Sequence, residues 1–490
     1  MDFLDPKRRK AHKRRLFIGY ALMAIVIALG TMLVMYLAYG YDVNRQSGEF
    51  IQNGIVFVDS KPKGATVYVN DVAERSKTDT RLVLPAGPYT IRIEAEGFRS
   101  WQRSFTLDGG QIERLVYPFL VPNVLTISDL QSYEATPQLA TQSPDRRWLL
   151  VARPGATYQF DVFDLQNPEE SPKQVAFPVA LLTAPAAASS LEIVEWSTDN
   201  RHILFKRSYE GKHEFIIFDR ENPSESVNLN TALGIAPAEV SLKGKRPDQI
   251  FYLDAVPGAL RSANTQARTI SAPLLPAVSG YKSYGDDVMV FAAAGGAGTG
   301  TADIKILEGD KTYTLRTVTQ SERYVLDVSK YEDEWYYAVG SAADNAVYVY
   351  KNPVAALKQE IRPEMDVTAM SASNPRFVSF SANTQFIGVQ SGRNFVVLDL
   401  EYDRQHKFSL DQEIPLEQQV KWMDGHRYIY VDNQQSYIVD FDGSNKQTLV
   451  TSRLANGPFF DRDYDNVFTI EGSKKDNAKA ALTITVIDAR

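Results

Sequence analysis

The residues best suited to binding a metal ion are three aspartates near the C-terminal end. Asp461, Asp463 and Asp465 place carboxylates at every second position, as at the start of a helix-loop-helix calcium loop. Two positions depart from that pattern, because Asn466 stands where such a loop needs glycine and Gly472 where it needs glutamate. The sequence therefore predicts no cofactor, because a solvated turn is the favoured interpretation of these aspartates. Calcium bound by Asp461, Asp463 and Asp465 is the alternative.

The sequence gives little support for other common catalytic sites or metal sites. The chain has no cysteine, which excludes disulfides, iron–sulfur clusters, thiolate zinc sites and a cysteine nucleophile. His202, His213, His406 and His426 lie in separate segments, and no G-x-S-x-G, H-E-x-x-H or P-loop motif occurs. The glycine-rich run Gly295–Gly300 is out of dinucleotide-binding register and predicts a flexible hairpin loop. We therefore assign no catalytic residue from sequence.

The N-terminal segment has the pattern of a membrane anchor. Leu16 to Tyr41 is an uncharged run of 26 residues, about 39 Å long as a helix, against a hydrocarbon core of about 30 Å. It is too long for the apolar core of a cleaved signal peptide, and it lacks the polar stripe of a buried core helix. Seven basic residues precede it and are predicted to fix its topology, with the N-terminus in the cytoplasm. They are Lys7, Arg8, Arg9, Lys10, Lys13, Arg14 and Arg15.

The charge divides at this anchor. Residues 1–15 form a tail with seven basic and two acidic side chains, a charge of +5 in a chain of net charge −7, so residues 16–490 carry −12. Binding to nucleic acid needs a basic surface, so the acidic remainder argues against a nucleic-acid partner. Simple solubility explains the negative charge. The predicted partners are the lipid bilayer, through residues 16–41, and an unidentified envelope protein or glycan.

After a linker over 42–54, residues 55–120 alternate between apolar and polar. Six short apolar runs separated by turns predict a small β-sandwich. Four short motifs occur at its turns and strand ends, and they are Pro62-Lys63-Gly64-Ala65, Val67-Tyr68-Val69-Asn70, Leu84-Pro85-Ala86-Gly87-Pro88-Tyr89 and Glu96-Gly97-Phe98. By these motifs the segment resembles the PEGA domain over about 65 residues, with Lys63 in place of the glutamate that gives the family its name. Gly64 is predicted in a turn at positive φ. The resemblance implies an extracytoplasmic, non-enzymatic β-sandwich of bacterial and archaeal surfaces.

A repeated unit fills residues 121–490. It consists of a polar turn, a short apolar strand, a loop and a second apolar strand, and it recurs about every 45 residues, the spacing of β-propeller blades. The Ser143-Pro144-Asp145 form of the turn resembles TolB-like, WD40-like repeats. Eight copies predict eight blades, and seven is the alternative because the third and fourth copies are weak. The copies begin at residues 143, 197, 246, 284, 331, 381, 423 and 461.

Three further expectations follow from the repeats. The last copy ends too near the C-terminus to form four strands, so we expect Leu115–Ser128 to supply the missing strand and close the ring. Ala184–Ser190 is predicted to link two blades. The tryptophans beside repeat strands are predicted to lie in the inter-blade core, and they are Trp148, Trp196, Trp335 and Trp422.

The sequence thus predicts a mainly β, single-pass membrane protein with a bacterial cell-surface location. The favoured function is a non-catalytic binding or scaffold protein that recognises an envelope or extracellular protein or glycan through its propeller. The alternative is a propeller hydrolase or lyase that acts on glycans or peptides with carboxylates of the channel. Clustered channel side chains with displaced pKa values are the observation that favours the alternative. A sensor function is disfavoured because the short tail leaves no room for an output domain.

Overall fold

The structure is a computed structural model that describes residues 6–38, 41–43, 50–156, 158–183, 189–295, 300–361, 363–473 and 479–487. The chain divides into two compact units, with the boundary between Val124 and Leu125. Each unit is described separately below.

The first unit opens with one long helix, α1, over Pro6–Ala38. Its segment His12–Tyr36 is long and apolar enough to cross a membrane, and its most apolar stretch is not buried in protein. The seven predicted topology residues, Lys7 to Arg15, belong to this helix, which therefore begins well before the predicted span. The apolar span and the basic segment at its N-terminal end thus form one continuous helix.

The remainder of the first unit is a β-sandwich. One sheet pairs β2 with β1, β5 and β8, and the other has the order β4-β3-β6-β7. Buried side chains such as Val56, Val67, Ile91 and Trp101 fill the core. The strands are β1 Tyr41–Val43, β2 Phe50–Val58, β3 Thr66–Val69, β4 Val72–Lys77, β5 Thr80–Pro85, β6 Gly87–Glu94, β7 Trp101–Leu107 and β8 Ile112–Leu115.

Six of these strands correspond to the six predicted apolar runs, and the structure adds two. The extra strand β1 begins at Tyr41, the last residue of the predicted span, and α1 already ends at Ala38, so the predicted end of the span at Tyr41 is wrong. The rest of β1 and the first residues of β2 lie in the segment predicted as a linker. The other addition, β4, is an exposed edge strand that gives no apolar alternation, so its sequence carried no strand signal. Gly64 has φ +78°, as its predicted turn position requires.

The second unit consists of short strands and two short helices, α2 Leu229–Leu233 and α3 Pro353–Leu357. Its first strands are β9 Thr126–Tyr133, β10 Ala140–Gln142, β11 Trp148–Ala152, β12 Gln159–Asp164, β13 Lys173–Ala176, β14 Ser189–Trp196, β15 His202–Tyr209, β16 Lys212–Asp219, β17 Val227–Asn228, β18 Glu239–Leu242, β19 Gln249–Leu253, β20 Gly258–Asn264, β21 Thr269–Ile270, β22 Leu275–Tyr284, β23 Val288–Ala293, β24 Thr301–Glu308 and β25 Lys311–Thr319. The others are β26 Tyr324–Tyr331, β27 Glu334–Ser341, β28 Ala346–Lys351, β29 Val367–Ser371, β30 Phe377–Phe380, β31 Phe386–Ser391, β32 Asn394–Asp399, β33 Arg404–Ser409, β34 Lys421–Trp422, β35 Arg427–Asp432, β36 Gln435–Asp440, β37 Gln447–Thr451, β38 Phe459–Phe460, β39 Asn466–Gly472 and β40 Ala480–Val486.

Within the described part of this unit, the strands fall into eight consecutive groups of four, here called groups one to eight, beginning with β10–β13. Groups three and four share one eight-stranded sheet because β20 pairs with both β21 and β22, and the other groups are separate four-stranded sheets. Successive antiparallel four-stranded sheets are the topology of a β-propeller. The second strand of every group follows a predicted repeat start. Seven sheets and eight groups leave the number of blades a prediction.

A strand from the beginning of the unit completes group eight. β9 pairs antiparallel with β40, with Thr126 opposite Val486 and Tyr133 opposite Ala480. This confirms that residues before the first repeat supply the missing strand. The donor lies further along the chain than predicted, and overlaps Leu115–Ser128 only at its C-terminal end.

We assign the first strands of groups two to six to the side of the ring nearest the propeller axis. First strands of neighbouring groups contact one another, as β14 does β18 and β26 does β30. The groups pack through apolar side chains, among which Trp196 is 8% exposed. Its indole Nε1 donates to Thr141 Oγ1 of the preceding group at 2.8 Å, which confirms the predicted core position.

Candidate functional site

The predicted calcium loop is one of four closely similar turns between the first and second strands of a group, here called the A–B turns. In each, the backbone N–H of the first residue donates to the carbonyl oxygen of the sixth, and the fourth residue has φ between 57° and 61°. The four turns are Ser143–Trp148, Ser197–His202, Ser381–Phe386 and Asp461–Asn466.

Asp461 uses both carboxylate oxygens within its own turn. Oδ1 accepts the backbone N–H groups of Asp465 at 2.8 Å and Asn466 at 3.2 Å, and Oδ2 accepts the Asn466 side-chain amide at 2.7 Å. The hydroxyls of Ser143 and Ser381 accept the corresponding backbone N–H at 2.9 and 3.1 Å. Asp461 therefore holds the turn in the manner of a serine.

Only one of the remaining two aspartates is more open to solvent than Asp461. Asp463 is exposed and Asp465 is half-buried. Among the residues that the structure describes, no group of three or more histidine, aspartate or glutamate side chains is arranged to hold a metal ion. Calcium binding by Asp461, Asp463 and Asp465 stays a prediction.

The fourth residue of each A–B turn contacts another group. Asn200 Oδ1 accepts the Asp145 backbone N–H at 3.1 Å. Thr384 Oγ1 donates to the Lys330 carbonyl oxygen at 2.6 Å. A left-handed backbone conformation projects these side chains sideways along the ring of turns. The A–B turns therefore form a linked rim at one end of the propeller.

Charged pairs hold the hairpins behind these turns. Arg201 forms a bidentate pair with Asp219, and Arg147 pairs with Asp164 at 2.7 Å. Burial would raise the pKa of Asp219, but hydrogen bonds from Arg201 and from backbone N–H groups outweigh it and lower the pKa. His202 lies between Asp199, at 2.6 Å, and Asp219, at 3.5 Å. These polar residues recur in the repeats, and they stabilise the hairpins.

Charged and phenolic side chains on the first strands connect neighbouring groups around the channel. Glu195 of group two accepts the Leu242 backbone N–H and pairs with Lys245 of group three. The hydroxyl groups of Ser241 and Tyr281, in groups three and four, hydrogen bond at 2.8 Å. Burial raises the pKa of the Tyr281 phenol, so it stays protonated.

Asp327 continues this series into groups five and six. Its Oδ1 lies 3.8 Å from Lys282 Nζ of group four, and its Oδ2 accepts the Phe380 backbone N–H at 3.3 Å. Burial raises the pKa of Asp327 although Lys282 opposes the shift. Polar links thus run from group two to group six along the inner strands.

Glu239 and Lys421 also lie on first strands, and both side chains are exposed to solvent. Desolvation nevertheless raises the pKa of Glu239, against the attraction of Lys206, and lowers the pKa of Lys421. Water contact combined with partial loss of hydration is expected inside a narrow channel enclosed by protein. Their exposed position on first strands makes Glu239 and Lys421 candidates for contact with a ligand.

A buried ion pair lies at the hairpin between the second and third strands of group two. The side chains of Arg207 and Glu214 are 0% and 1% exposed, with Nη1 and Oε1 2.6 Å apart. Arg207 Nε also donates to Tyr158 of group one at 2.6 Å, while Asn228 and Thr183 donate to Glu214. The pair therefore fixes the connection between groups one and two.

Two clefts open between groups five and six. One, of about 310 Å³, is lined by residues such as Ser371, Asn394 and Lys407. The other, of about 190 Å³, is lined by Tyr336, Asp403 and others. Pockets for organic ligands measure about 300–1,000 Å³, so the larger cleft is at the lower end of that range and the smaller one is below it. They suit a peptide or sugar side group better than a whole cofactor.

Sequence reasoning missed the buried pair and the channel residues. Charged residues within apolar strands, such as Arg207 and Glu214, are the available signal, because an interior charge needs a partner. Nothing in the sequence distinguishes Glu239 or Lys421 from surface charges. Of the other candidates, His213 Nε2 donates to the Pro237 carbonyl oxygen at 2.7 Å. Residues 184–188 of the predicted linker and 296–299 of the glycine run lie outside the described residues.

Similarity to solved structures is broad and distant. The β-propeller domain of Cps50 from Myceliophteria thermophila covers 67% of this chain and 100% of its own, with 10% identity and a TM-score of 0.39. An oligogalacturonate lyase from Vibrio parahaemolyticus covers 74% of this chain and 97% of its own, with 9% identity and a TM-score of 0.36. Dihydro-heme d1 dehydrogenase NirN covers 65% of this chain and 67% of its own, with 12% identity and a TM-score of 0.41.

No curated protein matches the chain. The PEGA domain family matches residues 53–119. The match covers the β-sandwich described above except for strand β1 and the first residues of β2. Both the predicted turn at Gly64 and the two-sheet architecture agree with that match. Residues 53–119 therefore form a PEGA domain, joined in one chain to a β-propeller.

Proposed function

We propose that this protein is a membrane-anchored, non-catalytic binding or scaffold protein, whose PEGA domain and propeller lie outside the cytoplasm. Its propeller recognises an envelope or extracellular protein or glycan. The span His12–Tyr36 and the basic residues that precede and begin it support a single-pass anchor with the N-terminus inside. PEGA modules are typical of extracytoplasmic surfaces, which agrees with that orientation.

One observation carries the choice of binding over catalysis. The ionisable channel residues Glu195, Tyr281 and Asp327 are engaged in links between neighbouring groups. Residues that hold the ring together have little freedom to exchange protons with a substrate. A rigid ring with a polar channel and a linked rim is suited to presenting a recognition surface.

A hydrolase or lyase is the second candidate, and the raised pKa values of Glu239 and Asp327 favour it. A carboxyl group with a raised pKa can act as a general acid near neutral pH. Such an enzyme would act on glycans or peptides that reach the channel. Glu239 is the residue with the more accessible side chain.

The experiment is affinity capture with the full-length protein in nanodiscs, incubated with cell-envelope fractions in the presence or absence of EDTA. We expect one protein or glycan to be retained, and retention to weaken in the channel variant Glu239→Gln/Lys421→Met. The control Lys212→Ala/Arg462→Ala changes two exposed side chains elsewhere on the propeller. Loss of retention in EDTA would support calcium at Asp461, Asp463 and Asp465.

Catalysis is tested on the same preparation. Turnover of an envelope glycan or peptide that is abolished by Glu239→Gln or Asp327→Asn, while both variants keep the wild-type melting temperature, would replace the binding proposal by the enzymatic one. Topology is tested separately with single cysteines, since the natural chain has none. A membrane-impermeant maleimide should label Val72→Cys but not Lys13→Cys on intact cells.

A further inference from the structure

One face of the PEGA domain combines exposed apolar and basic side chains. On β2 the even-numbered residues Val56 and Val58 are buried, so the odd-numbered residues point away from the core. Val83 of β5 and Ile112 of β8 lie beside Ile55 in the paired register. Val83 is 50% and Ile112 43% exposed. Three apolar side chains therefore form one row across the outer face of this sheet.

The next row on the same face is basic at both ends. Phe57 is flanked by Arg81 on β5 and Arg114 on β8. Both arginines are exposed, and the Arg114 guanidinium lies 5.4 Å from the centre of the Phe57 ring. We call the two rows together the outer face, comprising Ile55, Phe57, Arg81, Val83, Ile112 and Arg114.

Basic and apolar side chains in one layer suit the interface of a phospholipid bilayer. Arginine stems lie along apolar surface while their charged ends meet headgroup phosphates, and aliphatic and aromatic side chains enter the boundary below. The rest of the exterior chain is acidic, so the outer face is complementary in charge to an anionic surface where the whole molecule is not. Charge therefore favours lipid headgroups as the occupant.

Chain connectivity keeps this face near the membrane. The helix α1 ends at Ala38, and only two residues separate it from β1, which begins at Tyr41. β1 is paired with the first residues of β2, the strand that carries Ile55 and Phe57. At about 3.3 Å per residue, Phe57 is about 20 Å along β2 from Ile51, the partner of Asp42. The outer face is thus within a short domain length of the end of the span.

We infer that the outer face of the PEGA domain rests on the bilayer that holds α1, with Arg81 and Arg114 on phosphate groups of anionic phospholipids and Val83 in the interface. This inference depends on the proposed membrane anchor. It gives the PEGA domain a second contact with the membrane, beside the helix α1.

The test uses the full-length chain in nanodiscs with a single cysteine labelled by an environment-sensitive fluorophore. Val83→Cys reports the outer face, and Val72→Cys, on edge strand β4 of the other sheet and 68% exposed, is the matched control. With lipids that carry a quencher near the headgroup, we expect quenching at position 83 to be several-fold stronger than at position 72. Adding Arg81→Glu should reduce it about fivefold or more in anionic nanodiscs, since each basic residue near an anionic surface contributes about fivefold. Lys77→Glu, an exposed change on β4, should not.

The outcomes separate this inference from the anchor. A chain that fails to enter nanodiscs refutes the anchor and this inference together. A chain that enters but shows no quenching at position 83, or equal quenching at positions 72 and 83, refutes this inference alone. Shielding of the position 83 label in detergent, accompanied by dimerisation, would instead assign the outer face to a second copy of the chain and would also refute it.

Discussion

The guanidinium of Arg146 lies 4.1 Å from the centre of the Tyr464 ring, and both side chains donate to the carbonyl oxygen of Met423, at 2.6 and 3.0 Å. Arg146 belongs to the A–B turn of group one, Tyr464 to that of group eight, and Met423 precedes the second strand of group seven. The contact therefore spans the point where groups one and eight meet. It reinforces the closure made by β9 and β40.

We expect Arg146→Ala to weaken this closure. The change removes a hydrogen bond and a cation–π contact, together worth about 1–2 kcal/mol of unfolding free energy. Thermal unfolding followed by tryptophan fluorescence should show a lower midpoint for the propeller transition. Arg462→Ala, an exposed arginine in the group-eight turn, is the control and should leave the midpoint unchanged. Equal midpoints for wild type and Arg146→Ala would show that β9 alone secures the ring.

The buried pair of Arg207 and Glu214 gives a second prediction. Glu214→Ala leaves a guanidinium buried without its carboxylate, which costs about 3–5 kcal/mol of unfolding free energy. The double variant Arg207→Met/Glu214→Leu removes both charges, so we expect it to be more stable than Glu214→Ala. Urea unfolding of the three proteins measures the order, with Lys212→Ala as an exposed control on the same hairpin. A double variant less stable than Glu214→Ala would contradict the argument.

The same pair predicts sensitivity to acid. Burial would raise the pKa of Glu214, but hydrogen bonds from Thr183, Arg207 and Asn228 lower it below its usual 4.5. A carboxyl with a lowered pKa in the folded protein stabilises above pH 4.5, and this contribution is lost as the pH falls through the folded pKa. Wild type should therefore lose more stability than Arg207→Met/Glu214→Leu between neutral and acid pH. Parallel pH profiles of the two proteins would contradict this.

Much of the fold could be predicted because its repeats carry strong local patterns. Turns such as Ser143–Trp148 join a polar sequence to a backbone conformation that recurs, so the second strands were found in all groups. The exposed strand β4 and the exact position of β9 gave no such signal. Pairing of β9 with β40 is decided by tertiary contacts across more than 300 residues of chain.

The candidate site was less predictable for a physical reason. Whether Glu239 faces the channel or open solvent depends on where eight groups converge, and its local sequence is the same in either case. Asp461 was found from spacing, but its hydrogen bonds to the backbone of its own turn appear only in three dimensions. Sequence spacing identifies possible ligands and leaves open whether their oxygens are already engaged.

The turn of group eight provides a test of that point. Asp461→Ala removes the acceptor of two backbone N–H groups, as Ser381→Ala removes one in group six, and each should cost about 1 kcal/mol of unfolding free energy. Melting midpoints of both variants should fall without added metal. Calcium titration of wild type provides the second readout. A calcium-dependent rise in the midpoint that Asp463→Asn abolishes would establish the predicted metal site, whereas an Asp461→Ala midpoint equal to wild type would refute the turn-holding role.

Gly54 lies where the two sheets of the PEGA domain are in close contact. A Cβ atom at Gly54 would lie 2.6 Å from Cγ of Leu107, which is fully buried. Gly54→Ala should therefore lower the unfolding free energy of this domain by about 1–3 kcal/mol through overpacking. Gly19→Ala, at a helical position with open space around its Cα, is the control. Limited proteolysis should cut the PEGA domain of Gly54→Ala faster and leave the propeller's cleavage rate unchanged, and equal rates for the PEGA domains of both variants would contradict the prediction.

The channel residue Glu239 yields a prediction in which the sign of the pH effect is the test. Desolvation raises its pKa above the usual 4.5, so the folded protein binds this proton more tightly than the unfolded chain does. Its effect on stability therefore becomes less favourable as the pH rises from below 4.5 through the raised folded value. Glu239→Gln cannot ionise, so it should melt above wild type near pH 7, and the difference should shrink as the pH falls toward 4.5. Removing the attraction of Lys206 by Lys206→Met should lower the wild-type midpoint near pH 7 but not that of Glu239→Gln. A Glu239→Gln protein that is destabilised near neutral pH would show that this carboxylate has a stabilising partner, and would favour a structural role over contact with a ligand.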